Sequence, residues 1–235
     1  MRLPSNWIKK VATKEGVRRV PISHVSMTGE VLGSEFESAL ERDLIMTYAF
    51  DGSVNWFQSQ PVTIDYLNAE GKPRHYTPDL VIHFGTDQKT TRCPMLCEVK
   101  FREELLTNWK TYKPKIKAGR SYARENGMEF RIFDEYRIRT PRFRNIQFLW
   151  RYKYAPVSFG YQTELLAELS KLDQGVQMQT IIDKLYPIKE QRGEAIWAWW
   201  TLVVQGAILC DLDQRLDNST LFWVPEWRKR VVSWG

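Results

Sequence analysis

The sequence predicts an α/β protein, a mixed β-sheet flanked by helices and followed by a smaller, mostly helical domain. Three observations carry this reading. Residues 54–84 and 95–101 alternate apolar and polar side chains as strands do, residues 34–50 and 102–127 follow helical spacing, and beyond a break at Pro156 helical spacing returns three times. With 235 residues and 43% hydrophobic content, the chain can bury one large core or two modest ones without disulfide staples.

Residues 1–30 hold six basic residues against two acidic ones with no clear period, and read as an extended basic arm. From Ser34 to Phe50 the apolar positions Phe36, Leu40, Leu44 and Tyr48 recur at helical spacing, with Ser34 as the expected N-cap and Gly52 just past the end. "VNWFQSQPVTIDYLNAEGKPRHYTPDLVIHFG" alternates as strands, with a turn from Asn68 to Pro73, and "MLCEVKF" is a third strand. "REELLTNWKTYKPKIKAGRSYARENG" is helical, interrupted at Pro114, which suits the first position of a second helix. Gly127 stops it, and "MEFRIF" adds a short strand.

After Pro156, "GYQTELLAELSKLDQG", "QMQTIIDKLYP" and "EAIWAWWTLVVQGAILCDL" read as three helices running into a strand, and "NSTLFWV" as a second strand. That is the order of a winged-helix domain. Trp197, Trp199 and Trp200 are expected mostly in its core. The expected divisions are an arm over 1–30, a sheet domain over 31–155 and a winged-helix-like domain over 156–235.

The net charge of +6 is unevenly spread, with 26 Lys and Arg against 18 Asp and Glu in residues 1–155, and 8 against 10 in residues 156–235. A basic sheet domain suits a polyphosphate partner, because each neutralised phosphate releases counterions. Lys9, Lys10, Arg18 and Arg19 of the arm, and Lys110, Lys113, Lys115, Lys117, Arg120 and Arg124 of the helices, are candidate contacts to a DNA backbone. The alternative is a solvated helix face. The acidic balance of the last segment disfavours DNA reading there. No run of about 18 apolar residues occurs and the N-terminus lacks a signal-peptide core, so a cytoplasmic protein without a membrane partner is expected. Cys93, Cys97 and Cys210 form no even framework, and no second Cys/His pair accompanies Cys93 and Cys97 for a structural zinc.

Chemistry concentrates in "YTPDL" (76–80) and "CEVK" (97–100). Pro78 pushes Thr77 into an extended conformation, so Asp79 enters its strand at the start. Alternation then sends Asp79, Val81 and His83 to one face of that strand, and holds Glu98 and Lys100 on one face of the next. A carboxylate between Cys97 and Val99 is costly to bury without a cation or a metal beside it. Two carboxylates converging from neighbouring strands suit Mg²⁺, and a nearby lysine suits the charge that develops at phosphorus, which together is the equipment of phosphodiester hydrolysis. A plain Glu98–Lys100 ion pair on a sheet face is the alternative. A third carboxylate would come from the first helix, whose polar window surrounds Glu35, Ser38 and Arg42; Glu41 and Asp43 both fall outside it, and the helical wheel does not choose between them.

"ESALERDLIMTYAFDGSVNWFQSQP", "YTPDLVIHF" and "LCEVK" together resemble the TnsA endonucleases, restriction-endonuclease-like subunits of heteromeric cut-and-paste transposases. The pattern is met by Ser38, Leu40 and Glu41 on the helix, Phe50 to Val54 at the turn, Gln60 and Pro61 on a strand, Thr77 and Asp79, and finally Glu98, Val99 and Lys100. The resemblance implies a restriction-endonuclease-like fold in which Glu41, Asp79, Glu98 and Lys100 are catalytic, choosing Glu41 over Asp43. It also implies Asp79, Glu98 and the Val99 carbonyl as ligands of Mg²⁺, with Mn²⁺ as substitute. Where some members carry Gln, this sequence has Glu98. The implied activity is cleavage of the non-transferred strand at the 5′ ends of a transposon, in double-stranded DNA at the bacterial nucleoid. The TnsB transposase cuts and joins the 3′ ends, and the ATPase regulator TnsC engages the C-terminal domain. Such proteins also occur in CRISPR-associated transposons, an origin the sequence leaves open. A junction resolvase or restriction nuclease of the same fold, and a non-catalytic DNA-binding scaffold, are the competing readings.

Overall fold

A computed structural model describes residues 29–31, 34–50, 52–87, 90–154 and 159–226. Lys9, Lys10, Arg18 and Arg19 of the expected arm lie outside the described residues. The chain forms two compact units, one running to Ile45 and resuming over Gly52–Phe133, the other comprising Met46–Asp51 and the chain from Asp134 on.

Among the described residues the chain opens with an antiparallel pair, β1 (Gly29–Val31) and β2 (Ser34–Phe36), and then α1 (Ala39–Phe50), whose residues from Met46 on group with the second unit. The helix therefore starts four residues later than a cap at Ser34 implies, and Ser34 is a strand residue rather than its cap. The true cap is Ser38. Its hydroxyl oxygen accepts the Glu41 N–H at 3.2 Å, while the Glu41 carboxylate accepts the Ser38 hydroxyl at 2.8 Å and the Glu37 N–H at 3.0 Å. This Ser-x-x-Glu arrangement satisfies amides that a helix start otherwise leaves unpaired.

The main sheet contains β3 (Val54–Ser59), β6 (Leu80–Phe84), β9 (Met95–Val99) and β10 (Glu129–Phe133), in the order β10-β9-β6-β3. β10 and β9 are parallel and the other pairs antiparallel, which makes the sheet mixed, as expected. β4 (Ile64–Leu67) and β5 (Pro73–Tyr76) form a separate hairpin, and β7 (Thr86–Asp87) and β8 (Thr90–Thr91) a short one. In the β4–β5 turn the Asn68 side chain accepts the Glu70 and Lys72 N–H groups, and Gly71 takes φ +73°. Left-handed backbone of that kind favours glycine.

The long helical segment breaks at Asn108, between α2 (Arg102–Thr107) and α3 (Trp109–Glu125). Pro114 lies inside α3 and opens no helix, contrary to expectation. α3 packs against β4, β9 and β10. Ile116, Gly119 and Ala123 form its buried face. Val81, Leu96, Ala123 and Met128 make one core cluster there.

The second unit begins at α4 (Glu135–Ile138) and α5 (Pro141–Leu149), capped by Asp134 on the Arg137 N–H and by Thr140 on the Phe143 N–H, and continues through a 3-10 turn, Trp150–Tyr152. α6 (Phe159–Leu169), β11 (Val176–Gln177), α7 (Met178–Leu185), α8 (Lys189–Val204) and β12 (Leu221–Phe222) follow. β11 pairs with β12, and Leu209 bridges to Trp223. Leu149 and Tyr152 pack in the same core as Leu165, Ile182, Trp199 and Phe222. For that reason residues 134–155 group with the second unit rather than with the sheet, where the proline break had suggested placing them. They bring six Lys and Arg against two Asp and Glu, so the acidic balance that argued against DNA contact at the C-terminal end does not extend to the whole unit. Trp199 and Trp200 are buried, whereas Trp197 is 40% exposed and meets Tyr152 edge to face. A cavity of about 810 Å³ is lined by Phe148, Met178, Trp200, Phe222, Arg144 and Arg215 among others. Among the described residues no helix is long and apolar enough to cross a membrane.

The approach of α3 to the sheet is set by Gly119. A Cβ there would lie 2.7 Å from the Phe130 ring and 3.0 Å from the Tyr76 ring. Gly119→Val should therefore destabilise the protein by about 1–3 kcal/mol through overpacking. The melting temperature should fall by about 2–4 °C per kcal/mol, read by thermal denaturation. A melting temperature equal to wild type would show that the rings yield without cost.

Candidate active site

Backbone geometry brings the two sequence-predicted carboxylates together. β6 and β9 pair antiparallel with Leu80 opposite Cys97, so one step further the register sets Asp79 opposite Glu98. The Asp79 peptide is fixed from the other side as well. Its carbonyl accepts the N–H of Gln60 at 3.0 Å, and Gln60 holds φ +47°, a conformation non-glycine residues rarely adopt. Every residue of β9 is buried, Glu98 to 1% relative exposure.

Around these carboxylates four groups converge. Asp79 Oδ2 accepts the Val99 N–H at 2.6 Å. Lys100 Nζ lies 3.3 Å from Asp79 Oδ2, 3.6 Å from Glu98 Oε1 and 2.9 Å from the Val99 carbonyl oxygen. Lys115 Nζ reaches Glu98 Oε1 at 2.8 Å, and the Tyr76 hydroxyl donates to Glu98 Oε2 at 2.6 Å. Asp79, Glu98, Val99 and Lys100, singled out from the sequence, are thus one cluster. Lys115 and Tyr76 belong to it too.

Burial, with the charge of Glu98 next in size, pushes the Asp79 carboxyl up to about 7, against the pull of Lys100 and the Val99 amide. Burial opposes the charge of Lys100, but Asp79 and Glu98 outweigh it and hold the ammonium above its usual range. Burial and Glu98 together raise the Tyr76 phenol far above its ordinary value, which keeps it a hydrogen-bond donor. The site is thus a dense pair of carboxylates balanced by lysines.

Glu41 contributes through space. Its charge raises both the Asp79 and the Lys100 pKa, while among the described residues its side-chain hydrogen bonds go to Ser38 and Glu37. Asp43 is buried and bound by the Arg42 guanidinium at 2.7 Å. Of the two helical acids, Glu41 is thus the one whose charge acts on Asp79 and Lys100, whereas Asp43 is engaged by Arg42. The largest revision concerns the basic helix. At about 100° per residue, Lys110, Lys113, Lys117, Arg120 and Arg124 fall within an arc of about 80° on α3, and Lys115 lies roughly opposite its centre. The five are exposed, whereas Lys115 is half-buried between the Tyr76 and Tyr112 rings. Sequence reasoning grouped all six by composition; the wheel would have set Lys115 apart. Tyr76, adjacent in sequence to the Thr77–Asp79 motif, carried no such signal.

The donors present, two carboxylates and one carbonyl, are hard oxygens of the kind Mg²⁺ and Mn²⁺ take. Among the described residues no three His, Cys, Asp or Glu side chains come together as a metal cluster. A comparison of the chain with curated proteins gave no match. Residues 51–135 match the family model described as TnsA-like endonuclease N terminal. That stretch carries Asp79, Glu98, Lys100, Lys115 and the whole main sheet, and it ends where the second unit begins. A mixed sheet flanked by helices, a clustered Asp-Glu-Lys site and this match agree: residues 51–135 form a domain similar to the N-terminal domain of TnsA-like endonucleases.

Proposed function

We propose that the protein is a divalent-metal-dependent DNA endonuclease that hydrolyses the non-transferred strand at the 5′ ends of a transposon, working with a TnsB-type transposase and a TnsC-type regulator. The observation that carries the hydrolytic reading is the convergence of Asp79, Glu98 and the Val99 carbonyl on the Lys100 ammonium, each within hydrogen-bond or ion-pair distance of it. Asp79, Glu98 and the Val99 carbonyl would hold Mg²⁺. Bound there, the ion supplies Lewis-acid polarisation of the phosphodiester and activation of water.

The protein groups have separable tasks. Asp79 and Glu98 provide the negative field that attracts the ion, and the hydrogen bond from Val99 N–H keeps the Asp79 carboxylate aimed into the site. The Lys100 ammonium, held on a flexible stem, is placed to donate to the attacking water or to the phosphate oxygens as charge develops on them. Glu41 adds negative charge from the first turn of α1, and burial of the walls strengthens each of these interactions. The exposed arc of Lys110, Lys113, Lys117, Arg120 and Arg124 suits backbone contact with DNA, contributing affinity without sequence information.

Asp79→Ala should lower cleavage of transposon-end DNA at least about 100-fold, since loss of metal-derived stabilisation is worth several kcal/mol and each 1.4 kcal/mol is about tenfold. Strand-resolved gels in Mg²⁺, with partner proteins present, measure it; wild-type nicking by this variant would refute the metal assignment. Neutralising Lys110, Lys113 and Lys117 together should weaken binding to all sequences alike and reduce the slope of log K against log salt by roughly three. An unchanged slope would make them a solvated face.

Strand choice has its own test. With Lys100→Ala the transposase should still cut and join the 3′ ends, leaving the donor attached through its uncut 5′ strands. Replication across that product yields cointegrates in place of simple insertions, which long-read sequencing of cellular insertions counts. An undiminished fraction of simple insertions, with the variant protein present, would remove strand cleavage from this site.

A further inference from the structure

Lys115 has no task in the mechanism above, yet its position is unlike that of any other cation on α3. Its ammonium is 2.8 Å from Glu98 Oε1, its side chain is 16% exposed, and it lies over the Tyr112 and Tyr76 rings at 4.2 and 5.2 Å from their centroids. Tyr76 grips the other oxygen of the same carboxylate at 2.6 Å. Glu98 is thereby held at both oxygens by groups from two elements outside the main sheet, α3 and the β4–β5 hairpin. Lys100 holds the carboxylates more loosely, at 3.6 Å from Glu98 and 3.3 Å from Asp79, its short contact of 2.9 Å being to the Val99 carbonyl.

We propose that Lys115 is a positioning residue that acts, together with Tyr76, as the fixed counter-ion and clamp of Glu98, leaving Lys100 as the exchangeable cation of the site. The inference rests on the metal-dependent reading. Two carboxylates and two lysines balance in charge as the site stands. Asp79, Glu98 and the Val99 carbonyl would hold the divalent cation, and Lys100 is the lysine that touches all three, at 3.3, 3.6 and 2.9 Å, whereas Lys115 touches only Glu98 of the three; Lys100 is therefore the cation that would give way, toward the phosphate. Lys115 stays, because it approaches Glu98 from α3, and the aromatic faces on either side favour a cation where it sits. Without Lys115, Glu98 would keep Lys100 as its cation. Lys100, as the sole cation on Glu98, would then be harder to release from the carboxylates. Groups that orient a metal ligand typically change metal affinity or activity by about 10–100-fold when removed.

The test is Mn²⁺ binding to the full-length, DNA-free protein by isothermal titration calorimetry, with folding checked by circular dichroism and DNA affinity measured as a function of salt. Lys115→Met should weaken Mn²⁺ binding by about 10-fold or more, Lys115→Arg should restore part of it, and the salt slope of DNA binding should stay at the wild-type value. Tyr76→Phe, which removes one oxygen atom and keeps the ring, should weaken Mn²⁺ binding in the same direction, and it decides the matter if Lys115→Met does not fold. Wild-type Mn²⁺ binding in either folded variant would overturn the clamp. So would a salt slope reduced by about one in Lys115→Met at unchanged Mn²⁺ affinity, which would make Lys115 a DNA contact. Asp79→Asn is the control that separates the two levels. If it abolishes Mn²⁺ binding while Lys115→Met does not alter it, the clamp alone fails; if it binds Mn²⁺ as wild type does, the metal reading fails and the clamp with it.

Discussion

A carboxylate buried to 1% exposure in the middle of a fully buried strand is the constraint around which the first unit is organised. Leaving Glu98 without partners would cost about 3–5 kcal/mol, a large part of the 5–15 kcal/mol that holds an ordinary domain folded. The protein answers with Lys115 from α3, the Tyr76 hydroxyl from β5 and Lys100 from the end of β9. Each answer makes a demand on the fold. Lys115 reaches Glu98 because α3 lies close on the sheet, and α3 lies close because position 119 has no side chain. Tyr76 reaches it because the hairpin turn at Asn68 to Lys72 returns β5 beside β4.

Asp79 is governed differently. It stands at the open start of β6, its side chain 17% exposed, and is fixed through its backbone by Gln60 and through its carboxylate by the Val99 amide. One acid is thus sealed in and the other sits at the rim. The proposed metal site would therefore be closed on the Glu98 side and open on the Asp79 side.

Much of this was legible in the sequence and some was not, for reasons that differ from residue to residue. Alternation located β6 and β9, and with them the Asp79–Glu98 meeting, because a strand period of two leaves little freedom once both faces are specified. The start of α1 was misplaced because Phe36 and Leu40 continue a helical spacing into a strand; the Ser38-x-x-Glu41 box marked the right place. Pro114 suggested a helix start on its own preference, whereas the break fell at Asn108, where the Asn108 N–H bonds back to Glu104 and its carbonyl receives Thr111 and Tyr112. The boundary at Pro156 gave way because Leu149 and Tyr152 belong to the second core, and packing of that range leaves no local trace. Lys115 was counted with the surface lysines because composition does not register direction. Tyr76 was invisible, since nothing local says that a strand-end tyrosine will meet a glutamate 22 residues on.

The β4–β5 hairpin pairs with no strand of the main sheet, and by topology alone it looks like an ornament. Its last residue nevertheless supplies one of the two hands on Glu98. The strand that carries Glu98 is therefore not a portable cassette. Transplanting residues 79–84 and 95–100 into another mixed sheet would carry the acids and Lys100 but strand Glu98 in an apolar layer without its tyrosine and second lysine. Whoever shortens or rebuilds this protein has to keep a hairpin and a helix that contain none of the residues by which such sites are usually recognised.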